Sequence, residues 1–274
     1  METPLKVATA LTIAGSDSGG GAGIQADLRT FAFHRVHGTS ALTAITAQNT
    51  LGVTRVDVLS AESVAAQIDA VVTDIGVGAI KTGMLVNREI ISTVASRVRE
   101  LKGTPFVVDP VMVSRAGSQL IDDAAVGALR ELLLPLATLL TPNRHEAQLL
   151  AGMSIYTLVD MQEAARRIHR LGARAVLVKG GGMTGELRGT DVWFDGSRLE
   201  VLRVPAVETG NTHGTGCTLA AAITANLALG QELLPAVHAG KEYVTGALRL
   251  PLALGRGNGP IGHFFPLMGA RPVK

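Results

Sequence analysis

The sequence is built around residues 211–218, which read Asn211-Thr-His-Gly-Thr-Gly-Cys-Thr218 and continue without a break into the apolar run 219–229. Two glycines and small hydroxyl residues ahead of an alanine-rich helix leave backbone N–H groups unpaired at the helix start. Such groups, together with the positive end of the helix dipole, bind anions such as phosphate. The alternative is that Gly214 and Gly216 only cap the helix and that Cys217 is a small buried residue.

Cys217 is the single cysteine of the chain and falls in the first turn of this predicted helix. The helix dipole there favours a thiolate, so we expect a lowered thiol pKa. One cysteine excludes an internal disulfide and suits a reducing compartment, from which we expect a cytoplasmic protein. The sequence has no apolar run of about 18 residues and no basic leader, so we expect neither a membrane span nor a signal peptide.

The composition favours a single α/β domain over residues 1–274. Hydrophobic residues make up 47% of the chain and charged residues 18%, which is ample for a well-buried core. The net charge is only +2 and the basic residues are scattered along the sequence. This pattern gives no sign of a surface for nucleic acid or for a membrane.

Upstream of residue 180, short apolar runs alternate with segments of helical periodicity. Strands this short and apolar, separated by helices, indicate a parallel sheet covered on both faces. Residues 191–202 differ, because two strand-like runs flank Asp195-Gly196 and predict an antiparallel hairpin at the sheet edge. The tail from 255 to 274 is rich in glycine and proline and predicts an arm packed on the surface.

Helix starts are predicted from capping residues. Ser60, Asn87 and Asp122 each precede a segment of helical periodicity, as N-cap residues do. Asp160-Met-Gln-Glu163 has the spacing of a capping box and predicts a further helix that opens there.

Candidate functional residues fall at the predicted strand ends, where open α/β sheets bind ligands. They are Gly15, Gln48, Met84, Asp109, Asn143 with Glu146, and Lys179. Asp109 and Glu146 could together hold a hydrated Mg²⁺, although each alone could be a cap or turn residue. The Gln48 amide could bond the edge of a heteroaromatic ring, or form a turn with Asn49. Lys179, ahead of two glycines, is a phosphate-binding candidate.

The sequence can also be compared with two common nucleotide-binding patterns, and it fits neither in full. Gly21-x-Gly23-x-x-Ala26 matches a relaxed dinucleotide fingerprint, but residues 41–50 contain no acid to hold a ribose. The chain has no GxxxxGK[ST] sequence, which excludes a P-loop NTPase and leaves a phosphotransferase of another kind. The glycines between Asp17 and Gly23 predict a flap that closes over the site.

At this point the chain resembles the ribokinase-like superfamily, and within it the hydroxymethylpyrimidine/phosphomethylpyrimidine kinases of thiamine biosynthesis. The resemblance covers nearly the whole sequence and rests on residues 14–27, 46–50, 81–84, 108–112, 141–147, 178–181, 211–219 and 241–244. It implies a three-layer α/β/α sandwich with a mostly parallel central sheet and an antiparallel edge hairpin. It implies ATP-dependent phosphorylation of 4-amino-5-hydroxymethyl-2-methylpyrimidine and then of its monophosphate, by a homodimer.

The resemblance also implies roles for individual residues. Gln48 and Asp27 would bind the pyrimidine, with Gly15 and Met84 lining its pocket. Asn143, Lys179 and Lys241 would lie along ATP, with Asp109 and Glu146 near Mg²⁺. The amides of Gly214, Thr215, Gly216 and Cys217 would form an anion hole, and Cys217 stands where many sugar kinases carry an aspartate base. As a thiolate it could accept the proton, and as a thiol it could hydrogen-bond the acceptor. We expect Cys217→Ala to lower kcat by about 10²- to 10⁴-fold.

Three other functions remain open at the level of sequence. A pyridoxal/pyridoxine kinase of the cysteine-bearing group shares these sequence segments and differs in the shape of its pocket. A non-catalytic pyrimidine-binding regulator would not need Asp109, Glu146, Lys179 and Cys217 together. A nicotinamide-dependent dehydrogenase would need the ribose-binding acid that residues 41–50 lack.

Overall fold

The computed structural model of the chain describes residues 5–112 and 122–268. Within these ranges the strands are β1 (Thr9–Asp17), β2 (His37–Asn49), β3 (Gly52–Val58), β4 (Ala79–Thr82), β5 (Phe106–Val108), β6 (Leu139–Leu140), β7 (Val176–Val178), β8 (Thr190–Phe194) and β9 (Leu199–Arg203). They form one sheet in the order β3-β2-β1-β4-β5-β6-β7-β8-β9.

The α-helices of the described ranges are α1 (Gly23–Phe33), α2 (Ala61–Asp74), α3 (Arg88–Glu100), α4 (Asp123–Ala128), α5 (Arg144–Ala151), α6 (Leu158–His169), α7 (Thr215–Ala228) and α8 (Leu233–Leu248). A short π-helical turn, Leu129–Leu133, and a 3-10 turn, Leu134–Leu136, extend α4. None of these helices combines the length and the apolar character that crossing a lipid bilayer requires.

The sheet is parallel at its centre and antiparallel at both edges. Strands β1, β2, β4, β5, β6 and β7 pair in parallel, and the hairpin β8–β9 adds two antiparallel strands beside β7, as the Asp195-Gly196 turn predicted. A second antiparallel edge was not predicted, since β3 pairs with the end of β2. All seven residues of β3 are exposed, so this strand lacks the buried apolar face that sequence patterns detect.

Helices cover both faces of the sheet and make the three-layer sandwich. Ile80 of β4 points into a cluster with Val64 of α2, Val94 of α3 and Ile168 of α6. Its neighbour Ala79 points to the opposite face, into a cluster formed by α7 and α8. Side chains of successive strand residues alternate between faces, so a fully buried strand such as β4 supplies both layers.

The capping residues at the helix starts agree with the sequence in three cases and differ in one. The side chains of Ser60, Asn87 and Asp122 each accept a hydrogen bond from the amide three residues on, as predicted. Helix α6 begins earlier than predicted, because Thr157 is its N-cap and Asp160 is the third residue of the capping box. Helix α5 was not predicted.

The parallel strands bring their carboxyl ends to one edge of the sheet, and the start of α7 lies at the same edge. The Gly15–Asp17 segment, the end of β2, Lys81 to Met84, Asp109 and Lys179 all belong to this edge. This is the place where open parallel sheets bind ligands, because loops from successive strands converge there.

Candidate active site

The start of α7 presents two backbone amides to the edge of the sheet. Gly214 is the N-cap, with φ 82°, and a Cβ added to it would overlap the Gly21 carbonyl oxygen, so only glycine fits here. Thr215 turns its hydroxyl back onto the Thr212 carbonyl, 2.7 Å away. The amides of Gly216 and Cys217 donate to no group in the described part of the chain. They are the open end of the helix and can receive an anion.

An ammonium and a carboxylate lie beside these amides. Lys179 Nζ, at the end of β7, is 2.8 Å from Oδ1 of Asp109, at the end of β5. Thr141 donates to the same oxygen at 3.2 Å. A Cβ added to Gly216 would lie 3.3 Å from Lys179 Nζ and 3.7 Å from Asp109 Oδ2. Positive charge, open amides and a carboxylate therefore meet within a few ångströms of Gly216.

Glu146 is the second buried acid of this region. Burial raises the pKa of Glu146 to about 8, a rise that Lys179 opposes and Asp109 reinforces. Its Oε2 accepts from the Asn143 amide at 2.7 Å, while Oδ1 of Asn143 accepts from the Glu146 amide at 3.0 Å. This reciprocal cap at the start of α5 fixes Glu146 next to Asp109. It also occupies the carbonyl oxygen of the Asn143 side chain.

Lys179 remains charged between the two acids. Burial by itself would lower the pKa of Lys179, but Asp109 and Glu146 raise it above its usual range. Asp109 and Glu146 together also suit a hydrated Mg²⁺, which binds through one or two carboxylates plus phosphate oxygens. Burial is the main cause of the raised pKa of Glu146, and such a cation would offset the smaller part that comes from repulsion by Asp109.

A second region, around Gly15, Met84 and Gln48, lies at the carboxyl ends of β1, β4 and β2. A Cβ added to Gly15 would lie 2.6 Å from Met84 Cε, so the glycine makes room for the methionine. The half-buried Gln48 side chain contacts Thr46 Oγ1 at 3.1 Å and His213 Nε2 at 3.3 Å. His213 directly precedes Gly214, so this region borders the open amides.

Asp17 and His213 connect the two regions, and neither was among the candidate site residues predicted from the sequence. Asp17 Oδ1 accepts from the Gly19 amide at 2.8 Å, and Oδ2 accepts from the Ala22 amide at 2.9 Å and from His213 Nε2 at 2.8 Å. Burial opposes ionisation of Asp17, but these bonds prevail and lower its pKa. An aspartate followed by glycines is a signal for such a side-chain turn, and it could have identified Asp17.

Asp27 does not reach the open part of the site, where it was expected to bind the pyrimidine. Its carboxylate accepts from Lys81 Nζ at 2.7 and 2.9 Å and from Thr12 Oγ1 at 2.7 Å. Both charged side chains are fully buried. Burial alone would lower the pKa of Lys81, but Asp27 raises it well above its usual range. Asp27 is therefore the partner of a buried ion pair below the site.

Lys241 was expected to lie along ATP, and in the structure its ammonium bonds to groups at the start of β8. Its ammonium donates to Asp191 Oδ2 and, at 2.9 Å, to the Gly189 carbonyl. Asp191 Oδ1 in turn accepts from the Gly180 amide at 2.8 Å. Lys241 thus holds the segment that follows Lys179, and its own charge is paired with Asp191.

The thiol of Cys217 differs from the sequence prediction in the direction of its pKa. Burial raises the pKa of Cys217 to about 11, an effect that the nearby Lys81 only partly opposes. The expected lowering by the helix dipole does not prevail. At neutral pH the group that faces the site is a thiol and not a thiolate.

Comparisons with known proteins identify the family of this chain. A family model described as phosphomethylpyrimidine kinase matches residues 17–262. A hydroxymethylpyrimidine/phosphomethylpyrimidine kinase from Synechococcus elongatus is 61% identical over 263 residues, which cover 96% of this chain and all of that protein. The thiamine biosynthesis bifunctional protein ThiED from Geobacter sulfurreducens is 49% identical over 273 residues, covering 99% of this chain and 54% of that protein.

A solved structure gives the same result for the fold. The ADP complex of a pyridoxal kinase from Bacillus subtilis matches with a TM-score of 0.89 and 42% identity, covering 96% of this chain and 100% of that chain. The ribokinase-like sandwich that the sequence resemblance implied is confirmed. Since a family model matches most of its length and a relative of 61% identity aligns over 96% of it, the chain belongs to the phosphomethylpyrimidine kinase family.

Proposed function

We propose that this chain phosphorylates the hydroxymethyl group of 4-amino-5-hydroxymethyl-2-methylpyrimidine with ATP, and then phosphorylates the monophosphate to the diphosphate, as a kinase of thiamine biosynthesis. The observation that carries the proposal is the cluster at Gly216, where two open amides, the Lys179 ammonium and the Asp109 carboxylate meet. Phosphoryl transfer depends chiefly on positioning and on stabilising charge, and these groups supply both.

The residues divide between the two substrates. Lys179 and the amides of Gly216 and Cys217 would hold the phosphoryl group in transit, with Thr215 and Gly214 shaping the turn. Gln48, Gly15 and Met84 would hold the pyrimidine on the opposite side. Two further residues would act indirectly, by positioning others. Lys241 fixes the segment after Lys179, and Asp27 fixes Lys81.

The second nucleotide-side residue is Asn143, whose position follows from the start of α5. Its side-chain oxygen is held by the Glu146 amide, which leaves the amide nitrogen of the side chain to face ATP. Asp109 and Glu146 would hold Mg²⁺ beside the phosphates, where the ion would neutralise negative charge.

The acceptor hydroxyl needs no strong base. In a loose transition state the oxygen keeps its proton until its bond to phosphorus has largely formed, and by then the proton is acidic enough to pass to water. A thiol whose pKa is about 11 suits this course, because Cys217 can hydrogen-bond the acceptor oxygen without first losing its own proton.

A pyridoxal kinase is the second candidate. The observation in its favour is the similarity to the Bacillus subtilis pyridoxal kinase structure, at a TM-score of 0.89. Pyridoxal also offers a hydroxymethyl group on a six-membered nitrogen ring, so the same cluster could act on it. The curated relative of 61% identity, however, is named for the pyrimidine reactions.

We also propose that the active form is a cytoplasmic homodimer. The outer edge of the sheet exposes Val53, Val56 and Val58 of β3 and Ile45 of β2, each at least 42% exposed. An open strand edge with apolar side chains is an expected place for a second copy. Sedimentation velocity should give a dimer that Val56→Glu dissociates, while Val159→Glu, at an exposed valine of α6, leaves it intact. A wild-type monomer at micromolar concentration would contradict the proposal.

The test of the function is an ATP-consumption assay with hydroxymethylpyrimidine, its monophosphate and pyridoxal as acceptors. Each is measured with Mg²⁺ and after removal of divalent ions with a chelator. We expect turnover of both pyrimidines, slower turnover of pyridoxal, and loss of all activity without the metal. A preference for pyridoxal would replace the proposed substrate. Undiminished turnover in chelator would contradict the proposed metal site at Asp109 and Glu146.

A further inference from the structure

The backbone of Gln48 is fixed, so only its side-chain amide has to be oriented. Ser18 Oγ donates to the Gln48 carbonyl oxygen at 2.7 Å and accepts from the Gln48 amide at 2.8 Å. The nitrogen and oxygen of a side-chain amide have nearly the same shape, so which one points where is decided by the neighbouring hydrogen-bond partners. Those neighbours are Thr46 and His213.

His213 can only be a donor toward this corner of the site. Its Nε2 lies 2.8 Å from Asp17 Oδ2, and that carboxylate also accepts backbone amides of Gly21 and Ala22. The carboxylate is ionised and has no proton to give, so the proton of this contact belongs to His213 Nε2. In the structure the Gln48 atom 3.3 Å from this N–H is Nε2, so two donors face each other. Exchanging the nitrogen and oxygen of the amide would place Oε1 there, where it could share the proton with Asp17.

Thr46 can only be an acceptor toward Gln48. Its hydroxyl lies 2.8 Å from the carbonyl oxygen of Ser16, which accepts and never donates. The single hydroxyl proton is therefore used on Ser16. The Gln48 atom 3.1 Å from the Thr46 oxygen in the structure is Oε1, so two acceptors face each other there. This contact calls for the nitrogen of the Gln48 amide.

We propose that His213 and Thr46 together lock the Gln48 amide with Oε1 toward the imidazole and Nε2 toward the threonine, and that His213 is thereby a specificity-determining positioning residue. In this orientation each polar atom of the amide keeps one further hydrogen-bonding position, an acceptor on Oε1 and a donor on Nε2. A ring nitrogen beside an exocyclic amine is complementary to such a pair. A 4-aminopyrimidine carries such a pair.

The inference rests on the proposed role of Gln48 as the pyrimidine-binding residue, and one experiment tests the two separately. kcat/KM is measured for the aminopyrimidine alcohol and for the same alcohol without its 4-amino group. The variants are Gln48→Ala, His213→Phe, His213→Gln and Thr46→Val, with the double variant His213→Phe/Gln48→Ala. Phenylalanine keeps the ring that packs on Gly21, and glutamine carries an N–H as many bonds from the backbone as Nε2.

We expect His213→Phe and Thr46→Val each to lower kcat/KM for the amino compound by about tenfold, through KM, as for the loss of one oriented hydrogen bond. The deaminated compound should change by less than about threefold, and His213→Gln should restore most of the preference. In the Gln48→Ala background, His213→Phe should have little further effect, because His213 acts through Gln48.

Equal losses for both compounds, or the same loss in the Gln48→Ala background, would overturn the inference while leaving the role of Gln48 intact. A Gln48→Ala variant with the wild-type preference for the amino group would overturn both. In that case the kinase activity would still stand on the cluster at Gly216. Circular dichroism spectra of all variants separate these outcomes from a loss of folding.

Discussion

Two opposing effects act on the thiol of Cys217. The positive end of α7 favours a thiolate by up to about 2 kcal/mol in partly buried geometries. Removal of water disfavours it by as much as several pKa units. Burial prevails, and the pKa of Cys217 is about 11. A thiol that only hydrogen-bonds the acceptor predicts a loss in Cys217→Ala near the lower end, about 10²-fold, of the range for acid–base groups.

The protonation state of Cys217 can be measured directly, because the chain has no other cysteine. Iodoacetamide reacts with the thiolate, so the rate of labelling should rise about tenfold per pH unit from pH 7 to pH 10. Mass spectrometry follows the reaction, and circular dichroism checks that the protein stays folded. A rate that levels off below pH 8 would show a lowered pKa and restore the thiolate as a candidate base.

The Lys81–Asp27 pair is a second residue-scale feature, and the sequence did not predict that Asp27 would be paired in this way. Lys81→Met should lower the free energy of unfolding by about 3–5 kcal/mol, because it leaves the Asp27 carboxylate buried without its cation. Lys81→Met/Asp27→Asn should recover most of this loss, since it removes both charges and keeps the bond with Thr12. Urea denaturation measures both effects.

The same double variant tests whether Asp27 contacts the substrate. If Asp27 only supports Lys81, KM for the pyrimidine should stay within about threefold of the wild-type value, the usual effect of a residue without ligand contact. A much larger rise in KM, with near-normal stability, would show that Asp27 contacts the substrate.

At the scale of elements, the arm formed by residues 251–263 joins the two halves of the site. The tail from 255 to 274 was predicted to pack on the surface, but Gly259 and Pro260 within it are buried and pair with the segment just before α7. Asn258 Oδ1 accepts from the Thr212 amide at 3.0 Å, and the Asn258 amide donates to the Thr50 carbonyl, also at 3.0 Å. The arm therefore ties the end of β2 to the loop before Gly214.

Asn258→Ala should lower kcat/KM by about tenfold, because the Thr212 amide loses its acceptor and the loop before Gly214 loosens. The free energy of unfolding should fall by only about 1 kcal/mol. Asn258→Asp, which keeps an acceptor oxygen, should retain most of the activity. Arg256→Ala, at an exposed position of the same arm, is the matched control. Equal activities of the alanine variants at 256 and 258 would show that the arm does not position the loop.

At the scale of the whole molecule, His263 connects the arm to two helices. It is 2% exposed, and its Nε2 lies 2.8 Å from Thr218 Oγ1 of α7. Its carbonyl oxygen accepts from the Tyr243 hydroxyl of α8 at 2.7 Å. Burial lowers the pKa of His263 to about 4, with a smaller contribution from Arg29. The folded protein thus keeps this imidazole neutral under mildly acidic conditions.

This lowered pKa predicts a loss of stability in acid. Between pH 6.5 and pH 4 the unfolded chain binds a proton at His263 that the folded chain does not, so the free energy of unfolding falls as the pH falls. For this pKa difference the loss is at most about 3 kcal/mol. It should be absent above pH 7.

Urea denaturation of the wild type and of His263→Asn between pH 8 and pH 4 measures this contribution. The stability difference between the two proteins should shrink as the pH falls, whereas contributions from other groups, such as Asp17 and His34, cancel in that difference. A constant difference across the range would mean that His263 takes up its proton in the folded state as readily as in the unfolded one.

Local sequence signals predicted most of the elements of the fold. Capping side chains at Ser60, Asn87 and Asp122 act within one helical turn, so the residues that follow them suffice to place the helix starts. Helix α5 was not predicted, because Thr141-Pro142-Asn143 also suits a turn. Its capping box depends on the Glu146 side chain accepting from the Asn143 backbone amide. Strand β3 was not predicted, because it lies at the outer edge of the sheet and has no buried face.

The sequence by itself determined the alternation of strands and helices, the open amides at Gly216 and Cys217, and the strand ends that bear Gln48, Asp109 and Lys179. These features depend on periodicity and on backbone chemistry within a few residues. Only the tertiary structure decided the rest. It paired Asp27 with Lys81, 54 positions apart, brought His213 to Asp17, and raised the pKa of Cys217. Pairing and burial depend on which distant segments exclude water together, and no local pattern records that.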